Sequence, residues 1–231
     1  MKNCHENKGK TATGVLLIAG IIALGVVFTS SMPRAAQIES RSQGFPAANI
    51  PVPPLPPDLE EVPPPHRVVF VGHAIGTQNY VCLPSGSGVA WTLFTPQATL
   101  FRKNGQQLTT HFFSPNPDPE DNLTVRAAWQ HSQDSSTVWG RVTDSSSDAN
   151  FVEAGAIPWL TVETAGVQEG PVGGGQMTAI TFIQRLNTVE GSAPATGCSV
   201  ATDVGRRAFV PYRADYFFYE DPTRHGRPDG R

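Results

Sequence analysis

From residue 67 onward the chain reads as short runs rich in β-branched and aromatic residues, separated by turn residues. Ten runs stand out: RVVFVGHA (67–74), TQNYVCL (77–83), VAWTLFT (89–95), ATLFRK (98–103), QQLTTHFF (106–113), LTVRAAWQ (123–130), STVWGRVT (136–143), AIPWLTVE (156–163), MTAITFIQRLNT (177–188) and RAFVPYRADYFFYE (207–220). Side chains that branch at Cβ or carry rings suit a pleated, half-buried surface, so these runs predict strands. Alternation is clearest in the last run. Val210, Tyr212, Ala214, Tyr216 and Phe218 fall on one face, and Phe209, Arg213, Asp215, Phe217 and Tyr219 on the other. Asn104-Gly105 between two runs is a hairpin signal, because a tight type I′ turn needs φ > 0 at both central residues. No stretch of ten or more residues in this region has helical periodicity. The pattern predicts an all-β domain over residues 66–219, an antiparallel sandwich or barrel of about ten short strands.

Upstream the pattern is different. A short polar stretch carrying Lys2, Lys8 and Lys10 precedes 23 uncharged residues, Thr11 to Pro33, centred on GVLLIAGIIALGVVF (14–28). Lysines followed by an apolar run are an export signal, and the lysines keep their side in the cytoplasm. Residues 1–33 therefore read as a signal peptide or an uncleaved signal anchor. The uncharged stretch is long enough to cross roughly 30 Å of hydrocarbon, whereas the 15-residue apolar core also suits a cleaved signal. Everything after Arg34 is expected outside the cytoplasm, periplasmic or at the cell surface, with the membrane as a partner if the segment stays. Residues 34–65 follow as a spacer. Nine of the 20 residues at 46–65 are proline, which disfavours helix and sheet and predicts a disordered, extended polyproline II linker. The polar end of the chain, 220–231, is expected to be disordered.

Composition narrows the function. Charged residues are 16% of the chain, well below the roughly 25% of an ordinary soluble domain. Lys+Arg 17 against Asp+Glu 20 gives a net charge of -3, so no electrostatic footprint for nucleic acid exists. Of the three cysteines only Cys82 and Cys198 follow the apolar segment. In an oxidising compartment two such thiols pair by default, which predicts a Cys82–Cys198 disulfide.

Candidate chemistry is sparse. Nucleophilic hydrolysis needs a Ser or Cys, a His base and an orienting carboxylate. No G-x-S-x-G elbow is present. The candidate base is His111, in TTHFF, with Asp134, Glu153 or Asp215 as possible partners in space. A metal site would draw on His73, His111 and His131, yet no two of them have the spacing that places ligands on one face, so no metal is expected. DSSSD (144–148) lacks the glycine and distal glutamate of a calcium loop and reads as a solvated turn. GPVGGGQ (170–176) leads into a strand rather than a helix, so it is a flexible turn and not a phosphate cradle. Trp91, Trp129, Trp139 and Trp159 are expected in the core. Arg185, among apolar neighbours, is expected to form a partly buried ion pair with Asp215. A ligand or glycan would find Gln78, Tyr80 and Gln176 if the loops 76–80 and 170–176 lay at one end of the domain.

Six motifs in order add a resemblance: GTQNYVC (76–82), HF (111–112), IPWL (157–160), TFIQRLNT (181–188), GSAPATGC (191–198) and YRADYFFY (212–219). Over about residues 70–219 the chain resembles an exported bacterial and fungal family, the domain of unknown function numbered 3455. SPNPDPEDN (114–122) departs from the pattern expected after the HF motif. The resemblance implies an export signal and no assigned activity. Some fungal relatives carry a malate dehydrogenase label, which these residues do not support. There is no G-x-G-x-x-G between strand and helix and no βαβ alternation, so no nicotinamide cofactor, or any other, is expected. The sequence thus predicts an exported, membrane-tethered β domain, a non-enzymatic envelope module meeting a protein or glycan partner. The competing readings are a hydrolase-like enzyme built on His111 and a binder of small ligands or glycans.

Overall fold

The computed structural model of the protein describes residues 50–223. The apolar segment at 11–33 and the end of the polar tail lie outside the described residues. Eight strands follow one another: β1 (Arg67–Ser85), β2 (Gly88–Phe101), β3 (Gln107–Pro115), β4 (Val125–His131), β5 (Thr137–Ser146), β6 (Trp159–Gln168), β7 (Ile180–Glu190) and β8 (Arg207–Glu220). Each runs antiparallel to the next, and β8 returns to pair with β1, so the sheet closes into a barrel. Closure leaves no unpaired strand edge.

The ten expected runs become eight because β1 and β2 each absorb two of them. Gly76 and Pro96, which look like breaks, sit inside strands. Gly76 pairs with Ala98, and a Cβ at Gly76 would lie 2.2 Å from the Gln97 carbonyl oxygen. Only a residue without a side chain lets β1 and β2 come so close. Pro96 has no N–H to give the β2–β3 ladder. Beside it the Thr95 hydroxyl accepts a hydrogen bond from the Phe113 N–H at 3.0 Å, and regular β2–β3 pairing begins at Ala98. A hairpin turn at Asn104-Gly105 does join β2 and β3, but only Gly105 is left-handed, at φ 81°: its N–H closes the turn on the Arg102 carbonyl at 2.9 Å, in place of a two-residue type I′ turn.

An eight-stranded barrel is just wide enough for side chains to fill it. The inward residues of β1 are small where those of β8 are large: Gly72 pairs with Tyr216 and Gly76 with Tyr212. Across the barrel Trp129 is 2% exposed. Gly140 makes room for it, since a Cβ there would sit 2.4 Å from Val162 Cγ1 and 3.1 Å from the indole. Leu100, Ile183 and Phe218 complete an interior packed with aromatic and aliphatic side chains. The alternation expected for the last run is the one observed, with Tyr212, Ala214, Tyr216 and Phe218 inward.

A second core lies outside the barrel wall. Phe217, Tyr219, Leu186 and Trp159 point outward and are covered by Leu59, with Ile50, Val52, Leu55 and Val62 packed beside them. The proline-rich stretch is therefore a strap across the barrel from residue 50, not the free spacer its composition suggests. Proline makes this possible: its preset φ lowers the entropy lost on ordering, and it brings no N–H that would need a partner on a finished sheet. The DSSSD run, expected to be a solvated turn, is instead the end of β5 through Ser146, and it holds the strap. Asp144 accepts the Glu60 N–H at 2.6 Å, and Ser146 donates its hydroxyl to Asp58 at 2.7 Å. Glu60 in turn offers its carbonyl to the Thr161 hydroxyl at 2.9 Å. At the other boundary β8 runs on to Glu220, which meets Arg67 at 2.8 Å, so the ordered domain extends one residue into the expected tail.

Cys82 and Cys198 are bonded, with a Cα–Cα distance of 5.5 Å and a sequence separation of 116. The bridge ties the β7–β8 connection to the end of β1. Trp91 adds to the same junction by donating its indole N–H to the Thr196 carbonyl at 3.1 Å.

Candidate functional site

The outer wall carries a groove of about 650 Å³ between the barrel and the start of the strap. Val69 and Val71 of β1 and Phe217 of β8 form its floor, and Ile50, Pro51 and Val52 form the opposite side. Polar groups gather along one rim. His73 on β1 and Asp215 on β8 are register partners, and His73 Nδ1 lies 2.6 Å from Asp215 Oδ1. A carboxylate can only accept, so Nδ1 carries a proton and donates it to Asp215. Asn187 donates to the other Asp215 oxygen at 2.9 Å, fixing the carboxylate from its second side. Arg102 and Lys103, where β2 runs into its turn, bring two cations to the same groove, and Asp215 is the one carboxylate among its described lining residues. The side chains of His73 and Asp215 are 38% and 27% exposed, open enough for a ligand to reach.

His111 is elsewhere. It is 3% exposed inside the barrel, stacked on Trp129 with ring centres 4.5 Å apart and planes 9° from parallel. Its Nδ1–H donates to the Ala128 carbonyl at 2.9 Å. Burial drives its pKa down to about 3, with the Arg185 charge adding to the shift and the bond to Ala128 opposing it. The ring is therefore neutral, enclosed and held by backbone. None of its three candidate partners meets it: Asp134 binds His131 at 3.0 Å, Glu153 is exposed in the β5–β6 connection, and Asp215 is on the outer wall.

The expected Arg185–Asp215 ion pair is not formed, for a reason of register. Arg185 pairs across the ladder with Tyr216, while Asp215 pairs with Leu186. Neighbouring positions on a strand point to opposite faces, so the guanidinium goes inward and the carboxylate outward. Arg185 instead donates through Nε and Nη2 to the Pro158 carbonyl, at 3.2 and 2.8 Å. It stands among Tyr80, Tyr212 and Tyr216, whose phenols burial pushes up and its charge pulls down.

The three candidate ligand contacts do not converge. Residues 76–80 are mid-strand rather than a loop. Gln78 is 1% exposed, and Tyr80 donates its hydroxyl to the Gly191 carbonyl at 2.7 Å, at the β7–β8 end of the barrel. Gln176 lies in the β6–β7 connection at the other end, where its backbone N–H donates to Asp134 Oδ2 at 3.0 Å. Asp134 also accepts from the Ser136 hydroxyl at 2.7 Å, and so pins the glycine-rich turn to the β4–β5 hairpin. Trp129, Trp139 and Trp159 are buried, as core packing requires, and Trp91 is half-buried on the wall. Among the described residues no three of His, Cys, Asp and Glu gather to hold a metal ion.

Sequence reasoning missed the His73–Asp215–Asn187 cluster. His73 and Asp215 are 142 residues apart. The one signal for their meeting is closure itself, which brings the first and last strands together.

The chain belongs to a family of proteins of unknown function, DUF3455, whose model matches residues 63–220. No significant match exists among curated proteins or among solved structures.

Proposed function

For this member of a family without an assigned activity, we propose an exported module of the cell envelope, held at the membrane by residues 11–33, that works by binding rather than by catalysis. The observation that carries the reading is the contrast between a filled barrel and an open groove. The interior is packed around Trp129 and Tyr216, leaving the outer wall as the place where a ligand can sit. No Ser, Thr or Cys is among the groove's described lining residues, so the hydroxyl or thiol nucleophile of a hydrolytic triad is not among them. The Cys82–Cys198 bridge supports an oxidising compartment. Its partner is a small ligand, a glycan or an envelope protein, and the charge balance gives nucleic acid no foothold.

Two measurements test this. Full-length protein expressed in a bacterial host should fractionate with membranes and be digested by protease added outside the inner membrane; a cytoplasmic, protected product overturns export. A thermal-melt screen of the oxidised protein against glycans, metabolites and lipids should return a saturating hit that His73→Ala weakens. A ligand at about 100 times its dissociation constant adds roughly 2.7 kcal/mol, a visible rise in melting temperature.

The 2.6 Å imidazole–carboxylate contact favours one second reading, a hydrolase in which His73 rather than His111 takes a proton from water. Ester turnover abolished by His73→Gln at unchanged melting temperature would establish it over binding.

A further inference from the structure

We propose that the groove binds a single-chain alkyl carboxylate, with the carboxylate at Arg102 and Lys103 and the chain along Val69, Val71 and Phe217. This deepens the binding reading above and rests on it.

Charge complementarity sets the head group. Arg102 and Lys103 are two cations against the single carboxylate of Asp215, and both Asp215 oxygens are occupied by His73 and Asn187. Among the described lining residues the two cations outnumber the one carboxylate. A carboxylate suits this rim, because charge-assisted hydrogen bonds to guanidinium and ammonium groups are stronger than neutral ones. Arg102 is also placed rather than loose, its guanidinium carbon 5.9 Å from the centre of the Phe70 ring.

The floor sets the rest of the molecule. Valine side chains from β1 and Phe217 from β8 face proline and aliphatic side chains of the strap, so both walls are apolar. A sugar would want an exposed aromatic face to stack on. Phe217 is 5% exposed, and no Trp or Tyr is among the described lining residues. A saturated chain needs no such face, and the volume of about 650 Å³ lies within the range of small-ligand sites. Each methylene moved from water into such a slot is worth roughly four-fold in affinity.

The test uses full-length protein in phosphatidylcholine nanodiscs, with empty discs subtracted, titrated calorimetrically with octanoate, butanoate and octyltrimethylammonium. Octanoate should bind saturably at one site, butanoate at least about ten-fold more weakly, and the cation not at all. The double variant Arg102→Gln, Lys103→Gln should lose about ten-fold or more in octanoate affinity with an unchanged melt. Arg207→Gln, which removes an exposed cation lying over Phe94 outside the groove, should bind like wild type. Equal binding of anion and cation, indifference to chain length, an unaffected double variant or no octanoate binding by folded protein would each overturn the proposal. The fractionation and broad ligand screen above decide the parent reading separately, since a hit of another class sinks the alkyl carboxylate and leaves a binding module standing.

Discussion

His73 and Asp215 face each other across the seam where the barrel closes, one on the first strand and one on the last, 2.6 Å apart at Nδ1 and Oδ1. Because the carboxylate can only accept, it dictates which nitrogen of the neutral ring carries the proton. Long-range ¹⁵N NMR should find that proton on Nδ1 in the wild type and no longer confined there in Asp215→Ala. Both groups are more than a quarter exposed, so the same variant should cost no more than about 1 kcal/mol in urea denaturation. A proton on Nε2 in the wild type would refute the arrangement.

The enclosed ring of His111 predicts an acid sensitivity with a definite sign. Its pKa is about 3 in the fold against 6.5 in an open chain, so the unfolded state takes up the proton first. The ring's contribution to stability is complete above about pH 6.5 and declines as the pH falls toward 3, by at most about 1.4 kcal/mol per pH unit. His131, also held down mainly by burial, adds to the same decline. In His111→Gln one of the two contributions disappears. Urea midpoints from pH 7.5 to 4.5 should show the stability difference between wild type and variant falling steadily with pH; parallel curves would mean the ring is open to water.

Opening the bridge should cost about as much as truncating a large buried side chain. It closes a loop of 116 residues, for which chain entropy gives roughly 4.7 kcal/mol, a figure that strain and residual structure reduce. Cys82→Ala with Cys198→Ala should therefore lower stability by about 2–5 kcal/mol in denaturant. A loss below about 0.5 kcal/mol would mean that the unfolded chain gains little from the freed loop.

The strap predicts its own signature. Leu59 is 4% exposed between the barrel wall and the proline-rich chain, and truncating a buried leucine to alanine costs about 2–5 kcal/mol. Leu59→Ala should fall in that range and speed proteolysis within residues 50–65 while β8 stays protected. Proteolysis unchanged from wild type, with no loss of stability, would mean that the strap does not depend on this contact.

Much of the barrel was legible because alternation reports which face is buried. The partition of β8 into Tyr212, Ala214, Tyr216 and Phe218 against Asp215, Phe217 and Tyr219 could be read directly. Strand count could not, since Gly76 and Pro96 look like breaks to any local reading, and only the close approach of β1 to β2 explains a glycine there. The outward face of β8 carried a clue that was not used: Phe217 and Tyr219 are large and apolar on a wall that should be wet, so something had to cover them. That something was Leu59 and its neighbours, hidden by proline content that ordinarily marks a free linker. The Arg185–Asp215 expectation failed on parity, a two-strand property that neither residue's neighbours reveal. The groove was illegible for a related reason, because its strap, strands and turn meet only when a barrel closes and a strap crosses it.

The strap also changes how the domain would respond to being pulled. Tension arriving through residue 50 loads the strap before it reaches β1. Its apolar packing, and contacts such as those of Glu60 with Asp144 and of Asp58 with Ser146, can be peeled off one after another. β1 is laced to β8 along most of its length and, from His73 on, to β2 as well, so it is held from two sides. Under load such an outer layer would act as a mechanical fuse, lengthening as its attachments give way in turn before the barrel is strained.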